Sequence, residues 1–343
     1  VRRSFRCPAD GSEAHDLGSP RGRAQREREM AGSKLKARPP VAAEMGRTKA
    51  VAFGPPGSGK TWLALSFPSP YYIDTESGAA LAHYQERLKA SGGVYFGRDE
   101  GSLDPATVLD QVEALATEKH SYRTLVIDSV SKLIGTITAR EQDRLGDKDA
   151  FGASKKPGLV FLRRLGMWLD RLDMNVWLVA HETSKWEGAG NDRREVGQVP
   201  DLWEKMVHDL DLTLQVRRIG KGLREATIHK SRLLSFPEAD RFYLQKEGQD
   251  QAYATFTERW NRDRIEAVAI QVKLASAEDC SRVRALLEVV RIAPEEIERW
   301  MAKANVETWE EMTAEQICKV VGHLQAKIPQ AAATTKVEKG AKS

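Results

Sequence analysis

The sequence predicts an α/β fold: a doubly wound, mainly parallel sheet with a β-hairpin extension, followed by a small C-terminal helical module. Three observations predict it. Short apolar runs (KAVAF, YYID, TLVIDS, NVWLVAH) alternate with segments of helical periodicity, the pattern of a parallel sheet covered on both faces. Further along, LDLTLQVRR and REATIHKSRL flank the turn IGKG and read as an antiparallel hairpin. Beyond about residue 261 apolar residues recur only at helical spacing. The expected division is a disordered basic arm over 1–46, a core over 47–262, a helical module over 263–328 and a disordered tail over 329–343.

The elements follow in order. The first 45 or so residues are rich in Arg, Gly, Pro and Ser without apolar periodicity, so no packed structure is expected there. Val1 opens the chain, and Met30 and Met45 both precede the first strand. We hypothesise that translation starts at one of these methionines; an intact mass that included residues 1–29 would refute this. Lys49–Phe53 is the first strand, a Gly/Pro loop follows, and KTWLALSF, residues 60–67, begins a helix. YYID is the second strand. Asp104 as N-cap and Pro105 at the first helical position open a helix running to about Glu118. TLVIDS is the third strand. Leu162, Leu165, Leu169 and Leu172 form a helical stripe leading into NVWLVAH, the fourth. In the C-terminal part, helices are expected over 277–290, 294–304 and 313–326, the last with a Thr313/Gln316 capping box.

Composition sets the class. The chain has 343 residues, 41% hydrophobic and 30% charged, enough for one substantial domain and an accessory one. No apolar run approaches the roughly 20 residues needed to span a bilayer. The N-terminal residues contain no apolar stretch of the secretory kind, so no secretory leader and no membrane association are expected. Cys7, Cys280 and Cys318 lie far apart without metal-ligand spacing, which favours reduced thiols and a cytoplasmic location. The net charge of +4 is uneven: residues 1–49 carry 12 Lys/Arg against 6 Asp/Glu, leaving the remainder slightly acidic. Any nucleic-acid contact of the core must therefore come from local patches.

GPPGSGKT, residues 54–61, matches G-x-x-x-x-G-K-[ST] and lies between a predicted strand and a predicted helix. Gly54, Pro55, Pro56, Gly57, Ser58, Gly59, Lys60 and Thr61, with Trp62 next in the helix, are the candidate nucleotide-binding residues. Glycines let successive backbone N–H groups turn toward phosphate, Lys60 is expected to reach the β/γ-phosphates, and the Thr61 hydroxyl to ligate Mg²⁺. ATP and Mg²⁺ are thus the expected ligands. Asp128, ending an apolar strand, is the second candidate metal ligand; its alternative role is a helix cap. The residue after it is Ser129, where many P-loop ATPases place a catalytic glutamate. The remaining candidate base is Glu76 in YYIDTESG, at the end of the neighbouring strand, with Asp74 as a structural turn residue.

GPPGSGKT, YYIDTESG, TLVIDSVS, VWLVAH, LTLQVRRIGKG and TIHKSRL occur in the order and approximate spacing of the RecA family core, a resemblance covering about residues 48–244. The first block is most similar to phage-borne RecA-like ATPases associated with single-strand annealing and recombination, and WMAKANVETWEEMTAEQICKVVGHL is similar, less specifically, to helical tails on such proteins. The resemblance implies that Glu76 is the catalytic base and that His181, ending the fourth strand, senses the γ-phosphate. RecA has glutamine there, so the histidine departs from the pattern.

It also implies that two loops face DNA. The first, residues 144–158, contains Phe151, Lys155 and Lys156; the second, 182–200, contains Lys185, Trp186, Arg193 and Arg194. Cations interleaved with aromatics suit single strands, but mobile surface loops explain the same residues. Lys230 and Arg232 occupy the place from which cations of RecA-like assemblies reach a neighbour's γ-phosphate; solvated strand cations are the alternative. The expected function is Mg²⁺-dependent ATP hydrolysis coupled to single-stranded DNA in recombination or annealing, by a homo-oligomeric ring or filament with a recombination or single-strand-binding protein as a further partner. The alternative is a nucleotide-dependent switch that binds a protein through the C-terminal helices, with little DNA affinity.

Overall fold

A computed structural model describes residues 46–150, 152–189 and 192–340, with side chains as far as residue 328. The elements are β1 (Lys49–Phe53), α1 (Lys60–Ala64), β2 (Pro70–Asp74), α2 (Ala82–Ala90), β3 (Val94–Phe96), α3 (Pro105–Thr117), β4 (Thr124–Asp128), α4 (Val130–Leu145), α5 (Lys156–Arg171) and β5 (Asn175–Ala180). A ribbon of β6 (Glu182–Glu187) and β7 (Arg194–Pro200) follows, then α6 (Glu204–Asp209), β8 (Leu212–Gly220), β9 (Leu223–Ser231), β10 (Arg241–Lys246) and β11 (Gln249–Asp250). The chain ends in α7 (Ala252–Arg259), α8 (Arg262–Glu266), α9 (Ala277–Val289), α10 (Pro294–Ala304) and α11 (Ala314–Gly340).

Nine strands form one sheet in the order β11-β10-β9-β8-β1-β5-β4-β2-β3. The six from β8 to β3 are mutually parallel, and β9, β10 and β11 add antiparallel strands beyond β8. This is the doubly wound, mainly parallel sheet with hairpin extension that the sequence predicts. Period-2 alternation sends Val51 and Phe53 of β1 to the face covered by α3, α4 and α5, and Ala50 and Ala52 to the face covered by α1, α2 and α7. Every residue of β4 and β5 is buried, as strands covered on both faces require.

The order decides what meets what. β5 lies between β1 and β4, and β2 lies beyond β4. Residues 54, 181, 128 and 76 therefore emerge from four adjacent strand ends at the carboxyl edge of the sheet, where open α/β sheets bind ligands.

Some elements differ from expectation. α1 stops at Ala64, ahead of Pro68 and Pro70, neither of which supplies an N–H to continue a helix. The segment 182–200, expected as a loop, pairs with itself as the antiparallel β6–β7 ribbon, exposed along most of its length. The expected first loop shortens, because α4 runs to Leu145 and α5 starts at Lys156. The last helix runs past Ala326 to Gly340, through residues expected as a frayed tail; three successive alanines at 331–333 favour helix, and the next glycine is Gly340. The basic arm, the start-site methionines, Cys7 and Phe151 lie outside the described residues.

The caps behave as predicted. Asp104 accepts from Thr107 N with Pro105 following, and Thr313 and Gln316 exchange reciprocal bonds at the start of α11. α9 to α11 bury their own apolar cluster around Val283, Met312, Ile317 and Leu324. They dock on α5 through Arg164–Glu311 (2.6 Å), Arg171 donating to the Glu311 carbonyl (2.6 Å) and Arg163–Glu307 (3.2 Å). Ile265 and Ala269, placed by the sequence reading in the helical module, pack instead into the two cores flanking the sheet.

Candidate functional site

The phosphate loop leaves β1 at Gly54, whose φ is 148° and where any Cβ would drive into the Val216 carbonyl, so only glycine is tolerated. Gly57 and Gly59 also have positive φ, and α1 starts directly at Lys60. Lys60 Nζ donates to the Gly54 and Pro55 carbonyls at 2.8 and 3.0 Å, folded over its own loop. Burial pushes this ammonium below the usual lysine value, against the pull of Asp128, Glu76 and Glu182. The buried Ser58 hydroxyl has no hydrogen-bond partner among the described residues.

Thr61 Oγ1 donates to Asp128 Oδ2 at 2.6 Å, and the Tyr72 hydroxyl donates to the same oxygen at 2.7 Å. Burial drives the Asp128 carboxyl up, and these two hydrogen bonds only partly oppose it. A divalent cation would offset that desolvation. Mg²⁺ characteristically takes one or two carboxylates and completes its shell with water and phosphate oxygens. One hydroxyl and one carboxylate, adjacent at the end of β4 and the start of α1, fit that donor set; among the described residues no cluster of three His, Cys, Asp or Glu offers an all-protein cage.

Glu76 stands beside this pair. Its Oε1 accepts from Ser129 Oγ at 2.6 Å and lies 2.5 Å from His181 Nε2, which is also 3.3 Å from Ser129 Oγ. Burial raises the Glu76 carboxyl, but the bonds from Ser129 and His181, with the charges of His181 and Lys60, outweigh it and hold the group below the ordinary glutamate value. The glutamate is an ionised acceptor at neutral pH.

Two devices set its position. Asp74, buried at the end of β2, accepts the backbone N–H groups of Glu76 (2.9 Å), Ser77 (2.8 Å) and Ala79 (3.0 Å), together with the Tyr95 hydroxyl (3.0 Å). Thr75 locks the β2 end to the β4 end: its N–H donates to the Asp128 carbonyl, and its hydroxyl donates to the Ser129 carbonyl and accepts the Ser129 N–H. The two carboxylates of IDTE therefore differ in what they hold: Asp74 accepts the N–H groups of the turn, and Glu76 bonds Ser129 and His181.

Lys230 and Arg232 are not brought to this edge. Ser231 pairs with Leu212, which in turn pairs with Ala50 near the start of β1, so both cations sit at the amino edge of the sheet. Lys230 Nζ donates to the His208 carbonyl at 2.9 Å and also to that of Leu210; Arg232 donates to the Asp209 carbonyl at 2.9 Å and to that of His208. They bind the carboxyl end of α6.

Sequence reasoning missed Ser129 as a bridge, Tyr72, and the arginines at the other end of the hairpin. A cleft of about 520 Å³ opens beside Gly57, Gly59 and Lys60, walled by Trp62, Tyr84, Arg218 and Arg224. The alternation in QVRRIGKGLRE is the one signal in the sequence, since it places Arg218 opposite Arg224 across the turn.

A family model described as an AAA domain, AAA_24, matches residues 47–243, more than half of the chain. The chain belongs to this AAA-domain family. The matched region spans β1 to β10 and so contains the phosphate loop and every strand end described above. Among solved structures, that of the RadB recombinase matches at 18% identity, covering 58% of this chain and 87% of that one with a TM-score of 0.37. No curated protein matches the chain. No helix among the described residues is long and apolar enough to cross a membrane.

Proposed function

We propose that this AAA-domain protein is a RecA-type ATPase that hydrolyses ATP with Glu76 as the general base. The observation that carries the reading is the convergence of Lys60, Thr61, Asp128, Glu76 and His181 on four adjacent strand ends. Lys60 and the loop N–H groups bind the phosphates. Thr61 and Asp128 would hold Mg²⁺, which supplies charge neutralisation at the β/γ-phosphates. Glu76, ionised and oriented by Ser129, accepts the proton of the attacking water, and His181, at hydrogen-bond distance from both, reports the state of the phosphate end to the β6–β7 ribbon that begins one residue later. A positioned base of this kind contributes about 10²- to 10⁴-fold.

The same reading extends to single-stranded DNA in recombination or annealing, by a ring or filament of identical subunits. What supports it is the β6–β7 ribbon: it projects Trp186 with the Arg193 guanidinium 5.1 Å from its ring, beside Lys185 and Arg194, all exposed. Bases stack on such a ring while phosphates meet the cations. Lys155 and Lys156 add charge at the start of α5.

ATP turnover measured with and without single-stranded DNA, on wild type, Lys60→Ala and Glu76→Gln, tests both levels. Turnover that DNA accelerates and that both variants lose is expected. Turnover lost in both variants but unmoved by DNA would retain the ATPase and replace the DNA role with a nucleotide switch; turnover surviving Glu76→Gln would remove Glu76 as the base.

A further inference from the structure

The cleft beside the phosphate loop has a charge pattern that the catalytic edge does not explain. Its walls present Lys60, Arg218 and Arg224, and no Asp or Glu lines it among the described residues. Arg224 lies so close to the loop that a Cβ at Gly59 would come within 2.6 Å of its Cδ. Its Nη1 donates to Gln245 Oε1 on β10, while the buried Nε has no hydrogen-bond partner. Gln245 is fixed in turn by donating to the Gly248 carbonyl at 3.0 Å. An arginine carried on a packed strand, lining the cleft and clamped at one terminal nitrogen, is held in place for a further acceptor at the exposed end of its guanidinium.

Behind Trp62 the walls of the cleft are tied together. The Arg87 guanidinium lies 4.0 Å from the Trp62 ring, donates to Ser66 Oγ at 2.6 Å and pairs with Asp250 of β11. The helix carrying Tyr84 and the strands carrying Arg224 and Gln245 are thus tied across α1. At about 520 Å³ the space is of small-ligand size.

We infer that Arg224, assisted by Arg218, binds the phosphates of a nucleoside polyphosphate in the same subunit, and that Gln245 is its positioning residue. This rests on the nucleotide reading above and assigns to the β8–β10 extension a direct hold on the ligand. The extension then responds to nucleotide in cis, independently of anything Lys230 and Arg232 do at its other end.

Equilibrium binding of ATP and of ADP to the full chain, over a range of KCl concentrations, tests it. Arg224→Gln is expected to weaken both nucleotides by about tenfold, the worth of a charge-assisted bond, and to flatten the salt dependence of affinity because one cation no longer meets phosphate. Arg224→Lys should restore the salt dependence. Gln245→Leu, which keeps the cation and removes only its clamp, should give a smaller loss with the salt slope largely kept, and Arg218→Gln, at an exposed position, a smaller loss with a flatter slope. Unchanged affinity in Arg224→Gln and Arg218→Gln, or weaker binding in those two variants with an unchanged salt slope, overturns the inference. A wild-type chain that binds neither nucleotide overturns the nucleotide reading itself.

Discussion

At the carboxyl edge of the sheet Glu76 and His181 remain exposed and bond only to side chains through their own side-chain atoms, whereas at the amino edge the cations are committed largely to backbone carbonyls. Arg47, almost fully buried, pairs with Asp173 at 3.0 Å and donates to the carbonyls of Ala267 (3.0 Å), Val268 (2.9 Å) and Arg264. Lys49 donates to the Leu169 carbonyl, and Lys230 and Arg232 hold the end of α6. Carbonyls do not titrate and do not leave, so cations bound to them fix the chain. Carboxylates bonded to a hydroxyl and an imidazole can exchange those partners for water and phosphate. One edge is built to hold, the other to change.

Substitutions should separate the edges. The largest effect expected is loss of turnover in Glu76→Gln, about 10²- to 10⁴-fold with only a small fall in melting temperature, measured as ATP hydrolysis beside a thermal scan. Arg47→Met should do the reverse: Asp173 keeps Arg264 (3.2 Å) and the Ile270 N–H (3.0 Å) but loses Arg47, and three carbonyls lose their donor, so about 1–3 kcal/mol of stability is expected to go, read by urea unfolding, with turnover retained where the protein stays folded. Equal damage to turnover and stability in both variants would erase the distinction.

Asp74→Asn sits between the two. It weakens the acceptor of three N–H groups and one hydroxyl, so about 1–3 kcal/mol of stability is expected to go together with turnover, because the Glu76 turn loosens. A stability loss without a turnover loss would mean that Glu76 is held by Ser129 and Thr75 alone.

The pH profile gives a smaller effect. Since Glu76 is held below its ordinary value of 4.5, the stabilisation from its bonds is complete above that value and disappears as pH falls through the lower, folded-state value. An acid limb of kcat/KM above 4.5 would therefore have to come from another group. At the amino edge, Lys230→Ala should cost only about 1 kcal/mol or less. Arg232→Ala subunits mixed into wild type sharpen the point: poisoned turnover would show a cation reaching a neighbour's site, and turnover that falls only in proportion to dilution would leave Arg232 as a helix-end anchor.

Much of this was legible in the chain. GPPGSGKT dictates its own loop, since only glycine tolerates the dihedrals at Gly54 and Gly59, and the apolar runs of β1, β2, β4, β5, β8 and β9 declare themselves by length and residue type. β3 and β11 do not: three residues and two residues are too few for a period to show. The β6–β7 ribbon was hidden for a different reason. Its residues face solvent on both sides, so no apolar alternation marks it.

The sequence by itself determined which chemical groups stand at the loop and strand ends, because a phosphate loop, a strand-end aspartate and a glutamate two residues past a strand are local patterns written in consecutive residues. It did not determine their meeting. That Glu76 reaches Ser129 and His181, 53 and 105 residues away, follows from β4 lying between β2 and β5. That Arg224 rather than Arg232 faces the phosphate loop follows from the antiparallel register of one hairpin. Strand order and register come from burying both faces of the sheet at once, a condition on the whole chain that no short stretch of it contains.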